Sequence, residues 1–231
     1  MNIVTYMGIL SAFAFFLPVL LIFLLRLTDN KSLVALLCYF LITGVYNLIG
    51  VAILKVPVYI EETLFVISNY LDAPLMLIGV LFFCTSAQRR KTIYISLAIF
   101  VTYEIVIAII HGFTAASVIY VMGPGILLLL GYSVFFFTHY VKLSIEKNSG
   151  FGKTFMATSI VFAYGCYAII YFFYYLQKTS PMDDVFLIYY IASFVASVLM
   201  SIGLIIYKKR LKHFKDIELT RKELRMFFGN N

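Results

Sequence analysis

Apolar residues along this chain gather into seven long runs, at 4–25, 33–54, 63–86, 92–110, 116–141, 154–176 and 185–207, parted by short polar breaks. Each run is close to the ~20 residues that a helix needs to cross a bilayer. The pattern predicts an all-α integral membrane protein with seven transmembrane helices. No break is long enough to separate domains, so residues 1–207 form one expected bundle. Residues 208–231 follow as a basic amphipathic tail.

Composition agrees with this reading. Of the 231 residues, 63% are apolar and 13% charged, with a mean hydropathy of +0.98. A water-soluble core is thereby excluded. No positive charge precedes the first run and no small-residue cleavage pattern follows it, so that run is expected to remain as a membrane helix. Cys38, Cys84 and Cys166 lie inside apolar runs without metal-site or redox spacing, and read as small packing residues.

The net charge of +7 could suggest nucleic acid, but its distribution points elsewhere. Of the 18 Lys and Arg, all but Lys55 and Lys178 fall on one side of the seven runs. The other side carries Glu61, Glu62, Asp183 and Asp184. Because positive residues are retained in the cytoplasm, the expected orientation is N-out and C-in, in a bacterial inner (plasma) membrane. In the tail, Lys208, Lys209, Arg210, Lys212 and Lys215 adjoin Leu211, Phe214, Ile217, Leu224 and Phe228 near helical spacing. That suits a short helix lying on the anionic lipids of the inner leaflet. Docking of a cytoplasmic protein partner on the tail is the competing reading. A homo-oligomer is compatible with the sequence, and no nucleic acid is expected.

Ionisable groups at bilayer depth are costly and face the bundle interior, which makes Asp72 and Glu104 the first candidates for a site. Asn47 in the second run lies at a depth similar to that of Glu104, and Asn69 precedes Asp72 by one helical turn. Gly123-Pro124-Gly125 in the fifth run, and Ser193 and Ser197 in the seventh, fall at comparable depth. Pro74 frees the carbonyl of Tyr70 and can kink its helix. Together these predict a polar-lined pocket in the outer half of the bundle, near the midplane. Simpler readings stand beside it. The asparagines suit interhelical hydrogen bonds, and Ala192, Ser193, Ala196, Ser197 and Ser201 suit close helix packing.

Tyr164, Tyr167, Tyr171 and Tyr174 recur at helical spacing as an aromatic stripe, either core or the wall of a flat ligand. His111, His139 and His213 are too far apart in the pattern for a three-ligand metal site. No G-x-S-x-G elbow, P-loop or dinucleotide fingerprint is present, so no enzyme is expected.

Two segments carry a resemblance to a known family. Asn69-Tyr70-Leu71-Asp72-Ala73-Pro74-Leu75-Met76-Leu77 is similar to the third helix of the microbial (type 1) rhodopsins, where Arg-Tyr-x-Asp precedes a Pro-Leu-x-Leu run. Tyr164-Gly165-Cys166-Tyr167-Ala168-Ile169-Ile170-Tyr171 is similar to their Trp-x-x-Tyr-Pro-x-x-Trp, which walls the retinal pocket. Asn69 replaces Arg, Tyr164 and Tyr171 replace Trp, and Ala168 replaces Pro. The resemblance implies a seven-helix, N-out bundle. That family holds retinal on a lysine of helix seven, and residues 185–207 contain none. No covalent retinal is therefore expected, which leaves a non-covalent apolar ligand open and no cofactor assigned.

The leading expectation is a non-enzymatic sensor or small-ligand receptor with a pocket near Asp72 and output through the tail. A transporter or proton pathway using Asp72 and Glu104 is the alternative, and a structural or assembly subunit is the third.

Overall fold

In the computed structural model, residues 3–177 and 182–228 are described, with side chains except at 182–184, 214–216 and 218–228. Every apolar run is helical over most of its length, the second and third running past their helices at 51–54 and 84–86. The first span combines α1 (Ile3–Ala14) and α2 (Phe16–Leu24), and α3 (Lys31–Gly50) is the second. α4 (Val58–Val80) runs into a 3-10 turn (Leu81–Phe83) and makes the third. α5 (Ala87–His111) and α6 (Ala115–Lys147) follow; α7 (Phe151–Ile170) ends in a π-helical segment (Tyr171–Leu176), and α8 (Met182–Phe228) is the last. Among the described residues, seven helices are long and apolar enough to cross a membrane, and no strand occurs.

Local chemistry sets several boundaries. Asn30 starts α3 by accepting from the Ser32 N–H, and Ser86 starts α5 by accepting from the Arg89 N–H. Pro18 has no N–H to give to the turn before it, and the first span breaks there, at Phe15. Pro74 and Pro124 lie inside α4 and α6 without ending either helix.

Helices adjacent in sequence pack side by side, and α8 closes the ring against α1 and α2. α4 also packs across the ring on α6, which places it centrally. α5 is peripheral, with only Ile93, Phe100 and Glu104 buried. The closest approach is between α7 and α8. A Cβ on Gly152 would stand 2.6 Å from the Tyr207 nitrogen, and one on Gly203 would stand 2.8 Å from the Gly152 carbonyl oxygen. Deeper in the same seam the Ser159 hydroxyl donates to the Ala196 carbonyl at 2.6 Å. The small residues of the seventh span thus do what close packing asks of them.

At the end of the bundle where the basic residues gather, Lys153 Nζ donates to the Phe82 carbonyl at 3.0 Å and to the Tyr140 hydroxyl at 3.2 Å. Tyr140 in turn donates to the Phe83 carbonyl at 2.6 Å. These bonds satisfy carbonyls left over where the third span ends, and they place a cation at the negative end of a helix.

The tail is helical and continuous with the seventh span, since α8 runs from Met182 through Phe228 as one element of 47 residues. Lys208, Lys209, Arg210 and Lys212 follow directly on that span. The side chains of Phe214, Lys215, Leu224 and Phe228, like those of Lys178, Asp183 and Asp184, lie outside the described residues.

Candidate functional site

Asp72 lies on the central α4, fourteen residues from its start at Val58, which is about 21 Å at helical rise. The Tyr164 hydroxyl, from α7, donates to Asp72 Oδ1 at 2.9 Å. Tyr39, from α3, lies beside the same carboxyl group and beside Tyr164. Asp72 keeps part of its surface accessible, but the protein packed around its carboxyl group encloses it. One carboxyl group therefore ties α4 to α7, with α3 packed beside the pair. Tyr164 and Tyr39 are buried, at 0% and 5% exposure.

A second group of polar side chains adjoins the first. The Tyr164 and Tyr167 rings meet edge to face, with centroids 5.6 Å apart, and Tyr167 stacks on Tyr189 of α8 at 5.5 Å. The Tyr167 hydroxyl pairs with Ser193 Oγ at 2.9 Å, and Asn47 Nδ2 donates to the Tyr189 hydroxyl at 2.9 Å. Hydrogen bonds and ring contacts together thus lead from Asp72 toward Asn47, away from the basic end, and join α3, α4, α7 and α8. On the other side of Asp72 the interior is closed by Leu36, Leu77, Val80, Met156 and Leu204, all buried.

Several expected site residues are placed differently. Asn69 is not a partner of Asp72, because its amide donates to the Phe65 carbonyl of its own helix at 2.8 Å. Tyr171 turns to α6 and donates to the Ile119 carbonyl at 3.1 Å, beside Gly123. The tyrosine stripe ends at this point because the π segment widens the turn, as the Gln177 N–H bond to the Phe172 carbonyl marks. Tyr174 packs edge to face on Tyr175 and not on the cluster. Glu104 is buried at 6% exposure, its Oε1 makes no hydrogen bond, and it does not join the Asp72 network. Ser197 Oγ is likewise buried without a partner.

The expected pocket is closed. Beside Tyr39, Tyr164, Tyr167, Ser193 and Ser197 a cavity of about 10 Å³ remains, which is room for about one water molecule. Phe15, Phe40, Met76 and Met200 fill the rest of the space. A groove of about 470 Å³ lies instead between α5 and α6, lined by Arg89, Ile93, Leu127, Gly131 and Phe135 among others.

Tyr39 and Tyr189 are functional candidates that sequence reasoning missed. The chain has 18 tyrosines, and neither spacing nor depth sets these two apart until the bundle is assembled. Among the described residues no group of three His, Cys, Asp or Glu could hold a metal ion. No family model, no curated protein and no solved structure matches this chain.

Proposed function

We propose that this chain is a non-enzymatic seven-helix membrane sensor that reads its input at the Asp72–Tyr39–Tyr164 cluster and passes it on through α8. The orientation that goes with this reading is N-out and C-in, in a bacterial inner membrane, because the basic residues gather at one end of the bundle. The supporting observation is that one membrane-embedded carboxyl group takes a hydrogen bond from Tyr164 of α7, with Tyr39 of α3 beside it. An ionised carboxylate only accepts hydrogen bonds, whereas a neutral carboxyl group also donates one. A change of proton at Asp72 therefore obliges Tyr164 to exchange roles, and the contacts through Tyr167 and Ser193 carry that change to α8. A cavity of one-water size favours a proton, or a ligand no larger than water, as the input.

A proton conduit through Asp72 and Glu104 is the second reading. It is disfavoured because Glu104 stands outside the hydrogen-bonded network and buried apolar side chains close the path toward the basic end. Hydrogen exchange of the purified protein across acidic and neutral pH tests the choice. Protection of α3, α7 and α8 should vary with pH in the wild type and lose that dependence in Asp72→Asn. Identical pH dependence in both proteins would sink the sensor reading. Proton flux in wild-type liposomes that disappears in Asp72→Asn would establish the conduit.

A further inference from the structure

We infer that the groove between α5 and α6 is a binding site for one anionic phospholipid, its phosphate held by Arg89 and an acyl chain laid along the apolar wall. The groove's volume of about 470 Å³ falls within the ~300–1,000 Å³ range of ligand sites. Its lining is mostly apolar, with Ile93 on one wall and Leu127, Leu128 and Phe136 on the other. Such a surface on the outside of a membrane bundle meets lipid chains. What sets it apart from the rest of α5 is the charged group at one end.

Arg89 lies over the Phe135 ring, 5.3 Å from guanidinium carbon to centroid, which fixes it against the groove wall. Its Nη1 is buried without a hydrogen-bond partner, and no carboxylate pairs with it among the described residues. A guanidinium group carries five donors in a planar fork that matches phosphate. A buried donor left unpaired is costly, so the position calls for an acceptor. An anionic headgroup at the basic end of the bundle supplies one, and its chain then follows the groove.

Gly131 gives the groove its depth. A Cβ built there meets nothing within 4 Å, so a side chain at this position would project into the groove without disturbing the core. Along α6, Leu127 to Phe136 spans nine residues, or about 13 Å at helical rise, long enough for much of an acyl chain.

The test uses full-length protein purified in a mild neutral detergent, titrated with short-chain phosphatidylglycerol, phosphatidylcholine or glycerol 3-phosphate. Binding is read by native mass spectrometry and by the rise in melting temperature. The wild type should bind one phosphatidylglycerol in preference to phosphatidylcholine, and glycerol 3-phosphate should not protect. Arg89→Gln should weaken phosphatidylglycerol binding by about fivefold or more. Gly131→Phe should fill the groove and abolish the site while melting like the wild type in detergent alone. Arg90→Gln, next in sequence but outside the groove lining, should bind as the wild type does. The assignment is overturned if phosphatidylcholine binds equally, if glycerol 3-phosphate protects as well as the lipid, or if Arg89→Gln binds normally. It is also overturned if Gly131→Phe changes the oligomeric mass, since the groove would then be a contact between copies of the chain.

Discussion

The Tyr164 hydroxyl and Asp72 Oδ1 meet at 2.9 Å across ninety-two positions of sequence, joining the sixth membrane span to the third at mid-depth. Among the described residues neither has Lys or Arg as a partner, so the carboxyl group depends on the Tyr164 phenol. Its replacement should separate shape from hydrogen bonding. Asp72→Asn can still accept from Tyr164 and should melt close to the wild type. Asp72→Leu strands the Tyr164 hydroxyl, which costs ~1–3 kcal/mol by the general rule and about 0.6 kcal/mol by the average measured within membranes. Thermal unfolding in detergent should rank Asp72→Leu below Asp72→Asn, and the reverse order would contradict the hydrogen-bonded cluster.

The seam between α7 and α8 should tolerate nothing larger than glycine at its narrowest point. Gly152→Ala places a methyl group against the Tyr207 backbone nitrogen, so the helices must part. Overpacking of this kind typically costs ~1–3 kcal/mol. Gly165→Ala, where a Cβ meets open space, serves as the control and should be neutral. Equal melting of the two variants would show that the helices are not in backbone contact.

Lys153 should be replaceable by a neutral residue but not by an acidic one. Lys153→Met removes two hydrogen bonds and a cation from a helix C-terminus, for which a loss of about 1 kcal/mol is expected. Lys153→Glu sets a carboxylate against the Phe82 carbonyl and should lower the yield of folded protein sharply. If both variants unfold together with the wild type, the contact carries no stability.

Protein produced with retinal should show no visible band that shifts on borohydride or hydroxylamine treatment, because residues 185–207 contain no lysine. Appearance of such a band would place a Schiff base elsewhere in the chain.

A peptide covering residues 208–231 should bind anionic vesicles and lose that binding as salt rises, since each near-surface Lys or Arg adds ~1 kcal/mol of attraction. Equal affinity for neutral vesicles would remove the electrostatic account of the tail.

The seven spans are legible in the sequence because bilayer thickness sets their length, and apolar runs of that length are conspicuous. Asp72 is legible for a related reason, since a carboxylate at that depth has few tolerable positions. Its partners are not. Tyr39 reaches it only through the packing of α3 against α4, and 18 tyrosines give no means of choosing among them. Asn69 fails as a partner because a carbonyl on its own helix is nearer, a competition that spacing alone does not reveal. The stripe from Tyr164 to Tyr174 reads as one face only if the turn stays at 3.6 residues, and the π-helical segment changes that pitch. Closure of the pocket depends on how four Phe and Met side chains fill space, which no pattern encodes.

The length of α8 has a mechanical consequence. Because Ser193 and Phe228 belong to one uninterrupted helix, they are about 52 Å apart at helical rise, and a tilt of roughly 5° about the first would sweep the second by about 5 Å. A displacement of a few tenths of an ångström beside Tyr167 would thus be magnified at the far end, as by a long lever on a short arm. The bundle needs no hinge of its own for that movement to be large enough for another protein to notice.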